Sequence, residues 1–336
     1  MPTWTRQLLI AVSFLAAASP AATQTFEVVG TRAAGMGGAF VAVADDASAT
    51  YWNPGGLALG QMFSATVDRK VADQKAGTLD DPSRHDTGSL IALGMPALGF
   101  AYYQLRTTSV TPAGTMLARF PQGGETPVRM VRLDKLTTHH TGVTLVQSLV
   151  QGVAIGTTLK IVHGDVATAL VPEGNRDERL DEAAGLSTEG TDKFDADLGV
   201  MAGGGHLKMG LTIRNLTEPS FTVTGSSDSL RLHRQVRAGV AVSFAEGWAA
   251  AGDFDLTQNG PPDNQVRNIA AGTEGRLTKK IAVRGGFHVS TTGKARPSVS
   301  AGGSYAVLSA IWIDGQASWG SDNADRGWGI AARVIY

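Results

Sequence analysis

The chain contains no cysteine. That absence excludes a disulfide framework and a lipid-modified N-terminal cysteine. Charge of one sign is lacking too: 29 basic and 30 acidic residues leave a formal net charge of −1. No broad field therefore points to nucleic acid or to an anionic surface. Beyond the N-terminal segment there is no long apolar run. Hydrophobic residues make up 43% of the chain, but they are dispersed in short stretches, none of which suits a membrane-spanning helix. No Pro-rich or Ser-rich linker divides the sequence, so one large domain is expected.

What is present begins with a secretory leader. Arg6 supplies a positive start, Leu8 to Ala18 a short apolar stretch, and Ser19-Pro20-Ala21 the small residues of a cleavage site. Residues 1–21 are expected to be removed on export.

From residue 61 onward the apolar period is that of a strand. Trp248, Ala250, Gly252, Phe254 and Leu256 share one face, opposite Asp253 and Asp255. Ile281, Val283, Gly285, Phe287 and Val289 stand opposite Arg284 and His288. Leu207, Met209, Leu211 and Ile213 stand opposite Lys208 and Arg214, and Phe194, Ala196, Leu198 and Val200 opposite Asp195 and Asp197. This reading places fourteen strands, near 61–71, 87–95, 97–108, 128–148, 151–163, 191–203, 206–214, 231–244, 247–257, 265–276, 279–290, 296–306, 308–319 and 325–336.

The connections alternate. Tight turns near Met95-Pro96, Val150, Gly204-Gly205, Glu246, Leu277-Thr278 and Val307 separate longer polar stretches at about 72–86, 109–127, 164–190, 215–230, 258–264, 291–295 and 320–324. Transmembrane barrels have short turns on the periplasmic side and long loops outside. Aromatic residues fall near predicted strand ends, Phe244, Trp248, Tyr305 and Tyr336 at one level and Phe194, Trp319 and Trp328 at the other. Such levels suit rings with one apolar and one polar edge. The expected fold is all-β, a transmembrane antiparallel barrel of about fourteen strands over 61–336 with an N-terminal hatch over 22–60. The alternative is a periplasmic β-sandwich with its apolar faces packed inward.

The last strand puts Trp328, Ile330, Val334 and Tyr336 on one face and Arg333 on the other. This ending resembles the signal read by the barrel-assembly machinery. Residues 25–60 do not read as strand: Gly35, Gly37 and Gly38 let backbone pack closely, and Asp45 or Asp46 is expected to cap a short helix, with binding to a lumen arginine as the alternative. Asn53-Pro54-Gly55-Gly56 is turn chemistry.

The run from Gly35-Met36-Gly37-Gly38-Ala39-Phe40 through Trp52-Asn53-Pro54-Gly55-Gly56-Leu57 resembles the N-terminal hatch of the FadL-like superfamily of outer-membrane barrels. That superfamily includes fatty-acid and aromatic-hydrocarbon transporters, with PorV/PorQ-type and TraF-like barrels as a further branch. The common form has Asn-Pro-Ala-Gly where this chain has Asn53-Pro54-Gly55-Gly56. The resemblance implies a fourteen-strand barrel closed by the hatch, both termini in the periplasm, and outer-membrane lipid as surroundings. For function it implies passage of a hydrophobic small-molecule ligand. The alternative is a non-transporting barrel that anchors or hands over a secreted or surface protein; the charged loop at 164–190 offers no apolar capture surface, and the chain's compactness and its Gly35-Met36-Gly37-Gly38-Ala39-Phe40 run lean toward this branch.

On the face opposite the apolar one stand Lys160, Asp195, Asp197, Lys208, Arg214, Arg237, Asp253, Asp255, Arg284, Asp314 and Arg333. They read either as a polar pathway or as ion pairs that hold the hatch. The second reading is favoured because unpaired charge in a dry interior is costly. No cofactor is expected. Gly35-Met36-Gly37-Gly38 lacks the Lys-Ser/Thr of a phosphate loop, and His139, His140 and His163 lack further ligands at metal-binding spacing. No nucleophile elbow accompanies the available Ser, His and Asp. Catalysis is not expected.

Overall fold

The computed structural model describes residues 27–75, 80–119, 125–259, 265–292, 296–320 and 325–336. The leader at 1–21 and the first residues of the hatch lie outside the described residues. Among the described residues sixteen strands occur: β1 Ser64–Gln74, β2 Ser83–Gly94, β3 Leu98–Arg119, β4 Glu125–Val150, β5 Val153–Pro172, β6 Thr191–Gly204, β7 Leu207–Arg214, β8 Ser220–Thr222, β9 Ser229–Arg231, β10 Gln235–Ala245, β11 Trp248–Asp255, β12 Asn268–Arg276, β13 Ile281–Ser290, β14 Ser298–Ala306, β15 Ile311–Gly320 and β16 Asp325–Ile335. Fourteen of them form a closed antiparallel barrel, and β8 and β9 form a separate hairpin. Closure is made by β1 and β16, paired without a break from Ser64↔Ile335 to Gln74↔Asp325.

Alternation dictates which side of the wall each residue faces. Ile91, Leu145, Phe254, Val299 and Ile330 point outward and are 46–53% exposed. Asp197, Asp253, Arg284 and Asp314 point inward and are buried. In a closed barrel this leaves a belt of large apolar side chains facing outward all round. Such a surface belongs in lipid. The sandwich alternative is thereby excluded, because its apolar faces would have packed inward.

Several strands outrun expectation, β3 and β5 by the most. The stretch expected as a loop at 109–127 is mostly the paired extension of β3 and β4, from Val110↔Leu133 to Arg119↔Glu125. β5 likewise continues to Pro172 opposite Met130. Apolar alternation simply carries on past the barrel rim here. A helix, α3, Arg176–Gly185, lies on the outward face of this extension. Its Leu180 and Ala183 pack on Val110, Val131 and Leu133. Asn175 caps its start by accepting from the amides of Asp177 and Glu178. Its end is met from the wall, where Arg106 donates to Ala184 O at 2.7 Å and Lys135 to Leu186 O at 2.6 Å. Cations suit that end of a helix dipole. Partial burial and the neighbouring Arg106 charge lower the Lys135 ammonium below its usual range. The β8–β9 hairpin covers the opposite, inward face through Phe221, Val223, Leu230 and Leu232.

Residues 27–60 lie inside the barrel as a plug. It contains α1, Thr31–Gly35, α2, Ala49–Trp52, and a 3₁₀ turn, Pro54–Leu59. Its Phe40, Tyr51 and Trp52 are fully buried, with Leu90 and Tyr103 of the wall beside them. The capping expectation for Asp45 and Asp46 fails. Ser48 occupies the N-cap of α2 and makes no side-chain capping bond. Asp46 accepts instead from the Ser48 amide and hydroxyl, closing a local turn. That leaves its second oxygen for two arginines.

Candidate functional site

The plug meets a wall from which side chains have been removed. Gly156 and Gly199 are direct cross-strand partners on β5 and β6, and a methyl group on either would collide with Asn53 or Pro54. Gly286 on β13 is in the same position against Met36 and Gly37. Backbone therefore packs on backbone at these points. Gly37 also has φ 67°, a conformation that few other residues tolerate.

Hydrogen bonds fix the plug at both of its turns. The Asn53 amide donates to Val41 O at 3.0 Å and to Val200 O on β6 at 2.9 Å. Its oxygen accepts from the Gly55 amide at 3.2 Å. One side chain thus ties the Pro54 turn to its own segment and to the wall. Asp253 accepts from the amides of Phe40 at 2.7 Å and Val41 at 2.8 Å. Asp68 does the same for the Thr31 amide at the start of α1, at 2.5 Å.

Two ion networks flank these contacts. Toward the short-turn mouth, Arg32 of the plug contacts Asp45 at 2.7 Å, Asp46 at 3.0 Å and Glu274 of β12 at 2.6 Å. Arg284 joins Glu274 at 3.0 Å and Asp314 at 3.4 Å. Arg333 joins Asp314 at 2.5 Å and Asp46 at 3.2 Å. Four carboxylates and three guanidinium groups form one chain from plug to wall. The second network lies on the other side of the plug. Lys160 contacts Asp197 at 2.7 Å and Asp195 at 3.1 Å. Arg237 meets Asp255 at 2.6 Å. The Arg214 guanidinium lies 3.7 Å over the Tyr51 ring and donates to the Tyr103 hydroxyl at 3.1 Å.

The lumen charges read from the sequence are therefore gathered into these two networks, with Asp253 used on plug amides. Lys208 is the exception. It lines a cleft of about 570 Å³ at the short-turn mouth together with Arg32, Asp45, Phe244, Trp248 and Glu274. Trp312 faces inward beside Arg32 and Arg333. Trp328, Ile330 and Val334 face outward on β16, and Tyr336 is 84% exposed. Sequence reasoning missed Arg32, Asp68, Tyr103 and Glu274. A signal for the last three was available, since each sits on the inward parity of its strand. At the far end of the lumen a cavity of about 260 Å³ is lined by Glu27, Val28, Lys70, Arg84, Leu105 and His288. Among the described residues no group of three or more acidic, His or Cys side chains could hold a metal ion.

A closed fourteen-strand wall, an apolar outer belt and a bonded internal plug define a plugged outer-membrane barrel. Its fold is that of the FadL-like barrels. The toluene transporter TbuX of Ralstonia pickettii superposes with a TM-score of 0.62 at 17% identity, over 93% of this chain and 100% of that one. The toluene transporter TodX of Pseudomonas putida gives 0.61 at 13% identity, over 93% and 99%. A FadL homologue of Pseudomonas aeruginosa gives 0.51 at 11%, over 94% and 100%. The family described as F plasmid transfer operon TraF protein matches residues 131–255. No curated protein matches the sequence.

Proposed function

We propose that the barrel passes small hydrophobic molecules across the outer membrane, with the plug as its gate. The observation that carries this reading is the division of the lumen. One packed plug layer, centred on Phe40, Tyr51 and Trp52, separates the 260 Å³ cavity from the 570 Å³ cleft. Two toluene transporters share this fold along nearly their whole length. The short-turn side, where β1 begins and β16 ends, is assigned to the periplasm, because short turns face that way in such barrels. Glu27, by contrast, lies within the lumen at the outer cavity. The outward Trp328, Ile330, Val334 and Tyr336 are read as the signal for the assembly machinery.

The arrangement described is closed. Ion pairs fill the lumen beside the plug, so passage requires the plug to shift. A second reading, an anchor that hands over a secreted protein, draws on the platform of β3, β4 and β5 with α3 on its flank. Uptake of a fluorescent aromatic probe by cells carrying the wild type or the Asn53→Ala variant separates the two. Faster uptake by the variant supports a gated passage. Equal uptake at the level of cells lacking the barrel, with a protein co-purifying in fixed proportion, would replace it with the anchoring role.

A further inference from the structure

The apolar belt is not of even height. On β13 it runs outward from Ile281 through Val283, Gly285 and Phe287 to Val289, about 20 Å at the usual rise and tilt. On β3 it stops after Leu98, Phe100 and Tyr102, about 10 Å by the same measure. On β2 it consists of Leu93 and Ile91 alone, with Ser89, Thr87 and His85 above them.

The upper limit of this short belt is a continuous polar row. Direct cross-strand pairing runs from Arg69 to Ser89, then Gln104, His139, His163 and Asp192, over six adjacent strands. All six face outward. The distal members are satisfied: His139 bonds the Tyr102 hydroxyl at 2.8 Å and His163 bonds Asp192 at 2.8 Å. Arg69, Ser89 and Gln104 have no side-chain partner among the described residues, and Arg69 is exposed. Arg69 lies beside Ile330 and one outward step below the level of Trp328. An unpaired guanidinium facing hydrocarbon is costly and reaches for the interface or for a counter-charge.

We propose that the β1–β3 flank of the wall docks a phosphorylated glycolipid of the outer leaflet, whose phosphate meets Arg69 and whose sugar hydroxyls meet Ser89 and Gln104. The surface above Ser89 stays polar up to the rim through Thr87 and His85 of β2, whereas on β3 Arg106 is engaged by the end of α3 and Thr108 is buried. A headgroup can therefore descend along it to the level of Arg69, thinning the leaflet locally. Anionic phosphate complements the unpaired cation, and a bidentate guanidinium contact suits it. This site is on the outside of the wall and does not depend on what the lumen carries.

The test is native mass spectrometry of the whole barrel after mild extraction and exchange into detergent micelles carrying bis-phosphorylated lipid A. The wild type is expected to retain one lipid A per barrel. An Arg69→Leu/Gln104→Leu variant should lose it by about tenfold or more, as removal of a charge-assisted contact implies. Arg69→Lys should fall between. Ala271→Leu, on the far wall, should match the wild type. Heat-dependent mobility on gels verifies that each variant is a closed barrel, and leucine on the lipid face favours insertion. Equal retention by the double variant would overturn the proposal. So would a wild-type dimer without lipid that the double variant abolishes, since the flank would then join two copies.

Discussion

Asn53 is a single side chain with three bonds, two of them to carbonyls, one on the plug and one on the wall. Asn53→Ala removes those bonds, at a cost of about 0.5–1.5 kcal/mol for each. The barrel should still close, while the plug loosens. Trypsin checks this directly, because Arg32 is the one basic residue between 27 and 60 and cleavage after it should accelerate. Arg32 itself holds three carboxylates, and its removal leaves them facing one another. Arg32→Met is expected to destabilise the plug by about 3–5 kcal/mol, as removal of one buried partner does. The Arg32→Met/Glu274→Met pair should be less harmful than the sum of the singles, measured as the melting temperature in detergent. These roles were only half legible. Inward parity identified Asp253 and Arg333 as facing the lumen, but not whether their partners lay on the plug or on the wall. Arg32 sits just before the glycine motif and carries no periodic mark of its own. Asp46 was open to two readings because a helix cap and a lumen ion pair ask for the same residue type, and the position of Ser48 decided for the second.

Strands announce themselves by period two, and the barrel's fourteen were readable for that reason. Their outer limits were not. Alternation in β3, β4 and β5 continues above the rim through Val110, Val131, Leu133 and Val171, where α3 replaces lipid as the apolar partner on the outward side. A sequence pattern cannot tell which of the two covers it. α3 depends on local terms, so Asn175→Ala should weaken it by about 1 kcal/mol without altering barrel closure, as amide exchange confined to 176–185 would report. The wall's glycines are the other element-scale device. Gly199→Val places two methyl groups where Asn53 and Pro54 lie. Strand pairing should survive, since valine suits strands, and the plug should be displaced, again read by trypsin cleavage after Arg32. Wall glycines such as Gly156, Gly199 and Gly286 were visible in the sequence, but their inward parity acquires meaning only once the plug is known to press on them.

For the whole molecule, wall and plug have separate sources of stability. The wall has a full ring of strand pairing and a lipid-facing belt. The plug contributes the buried cluster of Phe40, Tyr51 and Trp52 and their neighbours. Deleting 27–60 should therefore yield a barrel that still inserts and shows heat-dependent mobility, with a lower melting temperature and a large rise in ion conductance across planar bilayers. An unchanged conductance would mean that the extensions and the β8–β9 hairpin seal the lumen by themselves.

The seam between β1 and β16 has a consequence in time. It joins residues almost the full barrel apart in sequence, the most distant pairing the wall makes and so the slowest to find. Until the final strand arrives, the growing sheet is a trough with two raw edges, each open to wrong pairing. The plug precedes every strand and is already available to lie in that trough. Its Asn53 and its contacts with Gly156 and Gly199 engage β5 and β6, well before the last strand is added. In sequence order the stopper and its contacts on β5 and β6 thus precede the strand that closes the wall over them.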